Sequence, residues 1–333
     1  MHLNNSYPLT FDSWDKEEIS SINKVIKSNQ FTYSENVRLF EKELAIYHGV
    51  KYCVLTNSGS SANLIAISSL FYKKKKPLKI NDEVIVPGVS WSTTYSPLQQ
   101  LGLKLRVVDI DIDTLNIDKN LVEKAITKNT KLIIPVNILG NPSSLNELEK
   151  LCQKHQIYLM EDNCESFGAM IKKRKTGTFG IVNTLSFFYS HHISTIEGGA
   201  VLTNNYEIYN ILLSLRSHGW ERDSIKIKNK KKEIYRFLYP GFNVRPTEFT
   251  GAIGRVQISK VDKFIKKRRD NHKIYQNLFY NHKLFKIQKE NEKSSSFSFI
   301  FILRKNFKHI KRRLFKHLKR NNIQYRLITG GSF

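Results

Sequence analysis

Between residues 50 and 205 short apolar runs alternate with amphipathic stretches, and most of the apolar runs end in polar or glycine-containing loops. Val84-Ile85-Val86, Leu105-Arg106-Val107-Val108, Leu132–Val136 and Ile157–Met160 are short and mostly apolar, so they read as strands buried in a sheet. Ser61–Phe71, Leu121–Ile126 and Leu145–His155 carry helical spacing and read as helices. This βαβ series predicts an α/β fold, a mostly parallel sheet flanked by helices. Such sheets receive ligands beyond the C-terminal ends of their strands.

The next stretch breaks the rhythm. Leu185–Tyr189 reads as a strand, Ser190-His191-His192 is expected directly after it, and Glu197-Gly198-Gly199 turns the chain into Ala200-Val201-Leu202. From about Ser259 onward the pattern gives basic helices and one aromatic strand, Phe297–Leu303. The expected division is a large domain with an N-terminal arm over 1–255 and a smaller α+β unit over 256–333.

Composition changes this picture in three places. Hydrophobic residues at 40% and charged residues at 25% fit a soluble globular chain. No apolar run reaches bilayer length and no signal peptide is visible at the N-terminus, so a cytoplasmic protein with no membrane partner is expected. The three cysteines, Cys53, Cys152 and Cys164, are widely spaced without a CxxC, which argues against a disulfide framework or structural zinc. The net charge is +25, from 54 Lys+Arg against 29 Asp+Glu. The basic residues are spread over loops and polar helix faces rather than one stripe with interleaved aromatics. They read as a solvated basic surface, not a nucleic-acid site, and would help draw in an anionic ligand.

Four segments can carry chemistry. Asn57-Ser58-Gly59-Ser60-Ser61-Ala62-Asn63 follows the Tyr52–Leu55 strand and opens a helix, a placement suited to phosphate. Gly-Ser turns also precede helices with no ligand. Glu161-Asp162-Asn163-Cys164-Glu165 ends a strand, where one carboxylate can pair with a protonated ring nitrogen or simply form an acidic loop. Trp91 also follows a strand and can stack on a flat ring or be a half-buried aromatic. The His191-His192 pair, beside a Glu-Gly-Gly turn, can serve proton transfer or be structural.

Taken together and in order, these pieces resemble the DegT-like sugar-nucleotide aminotransferase family, a branch of the fold-type I pyridoxal-phosphate enzymes. The likeness is carried by Thr56–Asn63, Asn81–Pro97, Val107–Asp118, Val136–Pro142, Glu161–Gly168, Gly177–Gly180, Ser186–Asn204 and Gly241–Gly254. Typical members have a Pro-x-Lys-His-type segment where this chain has Tyr189-Ser190-His191-His192, so the lysine column falls on His191. An imidazole cannot form the lysine's Schiff base but still moves a proton near neutral pH. The replacement is similar to that in the family's 3-dehydratases of 4-keto-6-deoxy hexoses. No cysteine follows Cys164, which excludes the cysteine-ligated iron–sulfur variety and leaves the cluster-free, GDP-sugar kind.

The resemblance implies a pyridoxal 5'-phosphate or pyridoxamine 5'-phosphate cofactor held without a covalent bond. It implies removal of the C3 hydroxyl from GDP-4-keto-6-deoxy-D-mannose in dideoxysugar synthesis, with glutamate restoring the amine form. Gly59 and Ser60 would bind the cofactor phosphate, Trp91 would stack on the pyridine ring, and Asp162 would pair with its nitrogen, with Glu165 close by. Ser186 would hold the phosphate or ring edge. Asn243 would reach the cofactor of a neighbouring subunit, which implies a homodimer. Phe31, Thr32, His218, Arg222 and Arg245 would contact the sugar nucleotide, and His191 would be the catalytic base. Relatives continue past Gln324–Gly330, so the smaller domain is expected to be incomplete. The rival expectations are an aminotransferase relative acting on another keto sugar and an inactive basic binding protein.

Overall fold

Strand β1 (Tyr52–Thr56) leads into helix α3 (Gly59–Phe71), after two N-terminal helices, α1 (Lys16–Ser28) and α2 (Glu35–His48). The computed structural model describes residues 6–221 and 235–328. The alternation continues through β2 (Glu83–Pro87), α4 (Ser92–Gln100), β3 (Lys104–Val108), α5 (Lys119–Ala125), β4 (Thr130–Ile133), α6 (Leu145–His155) and β5 (Tyr158–Asp162). A short hairpin, β6 (Met170–Ile171) and β7 (Arg174–Lys175), precedes β8 (Val182–Ser186), β9 (Gly199–Thr203) and α7 (Tyr206–Arg216). The long α8 (Glu248–Phe279) is followed by β10 (Phe285–Lys286), β11 (Ile302–Leu303) and α9 (Lys311–Arg320). Because α8 is continuous through position 255, the two expected units are joined by one helix.

Seven strands form one sheet in the order β1-β9-β8-β5-β4-β2-β3. The pairs β2·β3, β2·β4, β4·β5 and β5·β8 are parallel, whereas β9 runs antiparallel to both β1 and β8. The period of two along each strand splits the side chains between opposite faces. Val54, Val84, Val86, Leu132, Met160 and Val201 pack with α3 and α7 residues such as Ile65, Leu70 and Leu212. Their neighbours Ile85, Ile133 and Leu159 face α5 and α6 through Val122, Leu145 and Leu148. Cys53, Leu55, Ala200 and Leu202 face Phe40, Leu44, Val261 and Ile265 of α2 and α8. The strands covered on both faces are largely apolar, which is why they read as near-continuous runs, whereas the edge strand β3 exposes Lys104, Arg106 and Val107.

The expected elements need three corrections. Strand β4 stops at Ile133 rather than Val136, since Pro135 has no N–H for the ladder. Strand β8 spans Val182–Ser186, not Leu185–Tyr189, because the Phe187 carbonyl is taken by Thr195 N at 2.9 Å as the chain leaves the sheet. Only Ile302–Leu303 of the expected Phe297–Leu303 strand pairs in a sheet. Phe297 N goes instead to Leu139 O at 3.1 Å, and the Phe297 carbonyl accepts from Arg268 Nη1 at 2.8 Å. Among the described residues no helix is long and apolar enough to cross a membrane.

Candidate active site

The strand edge that carries the C-terminal ends of β1, β2, β5 and β8 gathers seven of the expected residues, Gly59, Ser60, Trp91, Asp162, Glu165, Ser186 and His191. At the end of β1, Ser58 caps α3 by accepting Ser61 N at 3.1 Å. Gly59 and Ser60 thus open the helix with N–H groups that have no intrahelical acceptor. Ser60 is exposed and Gly59 is buried against the end of β8. A Cβ built on Gly59 would lie 2.6 Å from Ser186 Cβ, so only glycine lets this turn meet Ser186. Gly199 of the intervening β9 is equally constrained, since its Cβ would lie 2.3 Å from the Ser58 carbonyl oxygen.

Asp162, at the end of β5, is 4% exposed. Its Oδ2 accepts from Asn63 Nδ2 at 2.9 Å and from Thr94 Oγ1 at 2.8 Å, and Oδ1 accepts from Cys164 N at 3.3 Å. Asn63 is oriented in turn by Thr184 Oγ1, 2.7 Å from its Oδ1. The carboxylate is therefore fixed from α3, α4 and its own loop. Glu161, one residue earlier, points the other way. It is fully buried and accepts from Gly177 N at 2.7 Å and Asn137 Nδ2 at 3.1 Å, so it organises the Gly177 turn rather than the crevice. Burial raises its carboxyl above the usual range despite those donors. Trp91 precedes α4, one turn from Thr94, and leaves its indole 53% exposed, a face available to a flat ring. Glu165 accepts Leu139 N at 2.8 Å. Burial lifts its carboxyl to about 7, the Leu139 N–H pulls it down, Asp162 adds upward push and Arg326 opposes it.

The histidine pair separates by role. His191 sits on the loop closed by Phe187 N to Gly198 O at 2.9 Å, five residues beyond the strand end, not directly after it. Its Nδ1 lies 3.3 Å from the Ser186 carbonyl. A carbonyl only accepts, so Nδ1 carries the proton and Nε2 holds the lone pair. Burial pushes His191 down to about 4, the Ser186 carbonyl raises it, Arg268 lowers it and Asp162 raises it. It is therefore a neutral imidazole at neutral pH. His192 is 2% exposed with Nε2 on the Ser295 carbonyl at 3.2 Å, and burial holds it well below the ordinary value. It is a structural residue.

The expected sugar-nucleotide contacts form an exposed rim rather than part of this cluster. Phe31 stacks on Phe249 at 6.0 Å, with Thr32 exposed beside it. Glu248 fixes that loop by accepting the N–H groups of Ser34, Asn36 and Val37 at the start of α2. His218 has a left-handed backbone, φ 64°, and its N–H donates to Phe242 O at 2.8 Å. Asn243 accepts from Arg245 Nε at 3.2 Å and does not touch the cradle in its own chain, although Asn57 N donates to Val244 O at 3.0 Å beside it. Arg222 lies outside the described residues. The sequence reading missed Asn63, Thr94 and Thr184. Their signal was weak because small polar residues on helices and strands are common, and only the fold shows them converging on Asp162.

Comparison with known proteins shows the family to which this fold belongs. The model of the DegT/DnrJ/EryC1/StrS aminotransferase family matches residues 12–329. The GDP-4-keto-6-deoxy-D-mannose 3-dehydratase of Yersinia pseudotuberculosis is 46% identical over 336 residues, 98% of this chain and 86% of that one. A solved GDP-4-keto-6-deoxymannose-3-dehydratase with a trapped PLP-glutamate geminal diamine superposes with a TM-score of 0.95 at 44% identity, covering 97% of this chain and 86% of that one. A variant of such an enzyme with a histidine replaced by asparagine, carrying GDP-perosamine, gives a TM-score of 0.92 at 45% identity, covering 95% and 84%.

Proposed function

Because the chain belongs to the DegT/DnrJ/EryC1/StrS aminotransferase family, we infer that it is a pyridoxal- or pyridoxamine-phosphate-dependent 3-dehydratase of GDP-4-keto-6-deoxy-D-mannose. One observation carries the reading: where the family's aminotransferases use a lysine, this chain presents a neutral His191, bonded at Nδ1 and open at Nε2. Glutamate as the amine donor follows from the same likeness, as do a cytoplasmic setting and a homodimer in which Asn243 serves the partner's site.

The residues fit the cofactor. The space kept by Gly59 against Ser186, beside the free N–H groups of α3, is a cradle for a phosphate. Asp162, held by Asn63 and Thr94, offers a fixed carboxylate to a ring nitrogen. Trp91 supplies a stacking face and Ser186 a hydroxyl at the cradle's wall. When bound, the cofactor supplies an amine for the sugar's C4 carbonyl and a ring that takes up negative charge when a carbon-bound proton is removed.

The protein's part is positional and acid–base. Asp162 keeps the ring nitrogen's proton in place and so keeps the ring electron-poor. With the cofactor in place, Nε2 of His191 would be placed to take up the proton that the cofactor's carbon releases and, once charged, to give it to the C3 hydroxyl, which would leave as water. Having no amine, His191 cannot displace the cofactor from the sugar, so the site favours deoxygenation over transfer. The rim residues Phe31, Thr32, His218 and Arg245, with Arg222, would receive the sugar nucleotide, the guanidinium groups suiting its diphosphate.

The test is direct. Purified protein with the cofactor, glutamate and the GDP-linked 4-keto sugar should release a 3-deoxy GDP-sugar, with CDP- and TDP-linked 4-keto sugars turned over poorly. Borohydride should leave the cofactor removable. Formation of a 4-amino product, or a cofactor fixed covalently to a lysine, would overturn the assignment.

A further inference from the structure

Phe297 stands outside every residue assigned so far, yet its ring meets the His191 imidazole edge-on, with centroids 5.2 Å apart and planes at 84°. It also lies 5.5 Å from the His192 ring. Arg268 flanks it, 5.8 Å from the ring centroid, and donates to its carbonyl at 2.8 Å. The ring thus fills the space between α8 and the His191 loop.

Its backbone is held with unusual effort. Phe297 N donates to Leu139 O at 3.1 Å, and Leu139 adopts a left-handed conformation, φ 54° and ψ 30°. The N–H of that same Leu139 donates to Glu165 at 2.8 Å. Ser296, next to Phe297, is also left-handed, φ 51°, with its hydroxyl donating to Glu290 at 3.0 Å. Gly140 makes room for the contact, since a Cβ there would lie 2.9 Å from Phe297 N. Two strained residues that are not glycine thus flank one hydrogen bond. Such strain persists only where the surroundings over-determine it, and it clusters at functional sites.

We propose that Phe297 is a positioning residue for His191: anchored through Leu139 to Glu165 and through Arg268 to α8, its ring holds the imidazole against the Ser186 carbonyl and keeps water from it. The proposal rests on His191 being the base. It makes the small C-terminal unit part of the proton-transfer machinery, although that unit contributes no reacting group.

The charged and titratable groups facing His191 are Asp162 from the end of β5, Arg268 from α8 and His192 from its own loop. None of these is removed by changing Phe297, so a shift on its replacement reports hydration and orientation of the imidazole. Histidine NMR of the apoprotein reads this without turnover, with His191→Asn identifying the signal. In Phe297→Leu and Phe297→Ala the apparent pKa of His191 should rise by about one unit or more, while Phe297→Tyr should stay near the parent. In the loaded enzyme the acid limb of the kcat profile should move the same way. At the pH optimum kcat should fall about tenfold with KM for the sugar nucleotide within about twofold. A His191 titration that does not move in folded Leu and Ala variants would sink the proposal, and so would a loss confined to KM. Absence of deoxygenation in the parent protein would instead count against the proposed function, leaving the NMR titration to decide the role of Phe297.

Discussion

Arg216 Nη1 lies 2.7 Å from Glu41 Oε1, and both side chains are buried. The pair ties together the segments that carry the candidate ligand contacts. The guanidinium covers the Tyr33 ring at 4.4 Å, next to Phe31 and Thr32, and Tyr33 OH donates to Glu41 at 3.2 Å. Glu41 also accepts Leu55 N from β1 at 2.9 Å, and the Arg216 carbonyl accepts Val244 N between Asn243 and Arg245. Removing one partner of a buried pair strands the other, at a cost of about 3–5 kcal/mol. Arg216→Met should lose that much in urea unfolding of the apoprotein. A loss below about 1 kcal/mol would mean the pair contributes little.

His191→Asn tests the base. The side chain keeps a donor for the Ser186 carbonyl and loses the proton acceptor. Deoxygenation should fall by about a thousandfold, within the range for general acid–base groups. Cofactor binding, followed by absorbance, should be nearly unchanged. Retained turnover would remove His191 from the mechanism.

Gly59→Ala tests the cradle. The added methyl would stand 2.6 Å from Ser186 Cβ, where neither backbone nor a short side chain can give way cheaply. Cofactor affinity should weaken by about tenfold or more, equivalent to about 1.4 kcal/mol. Ser186→Gly in the same chain should recover part of it. Equal affinity in Gly59→Ala would show that the phosphate sits elsewhere.

Buried neutral histidines should make a measurable, pH-dependent contribution to the stability of the apoprotein. Burial holds His48 and His191 down to about 4, and His192 well below the ordinary value, while the unfolded chain titrates at 6.5. As the pH falls below 6.5 the unfolded state gains protons first. Each buried histidine then subtracts up to about 1.4 kcal/mol per pH unit until its folded form also protonates. Glu165 acts in the opposite sense. Its folded carboxyl keeps a proton up to about 7, so between 4.5 and 7 its contribution falls as the pH rises. Glu41 and Glu161, raised by burial, act in the same sense as Glu165, so the histidine contribution is read by difference: between pH 6.5 and pH 5 the urea midpoint of the parent should fall relative to that of His48→Gln. A difference between the two proteins that stays constant over this range would contradict the buried, neutral state of His48.

The sheet, its main helices and the glycine turn that opens α3 could be read from the chain because they rest on local signals. Apolar runs mark strands covered on both faces, and Leu145–His155 matched its helix at both ends. Long-range partners left no such mark. Nothing near Phe297 in the sequence announces His191, and the run Phe297–Leu303 has the composition of a strand. Its backbone groups were claimed instead by Leu139, Arg268 and Tyr275. The division of labour between His191 and His192 was equally hidden. It depends on which ring the loop after Ser186 turns toward the crevice and which toward the Ser295 carbonyl.

The reversed strand β9 has a consequence for how far this site can diverge. It separates the end of β1, which carries Gly59, from the end of β8, which carries Ser186, and Gly199 pairs with both Thr56 and Ser186. The two strand ends stand two inter-strand steps apart, about 9.5 Å, and the turn after Thr56 crosses over Gly199 to bring Gly59 against Ser186. A side chain at position 199 would push that turn off the strand and break the contact. The exposed rim at Phe31, Thr32, His218 and Arg245 is under no such constraint, so the site should tolerate substitution there before it tolerates any at Gly59 or Gly199.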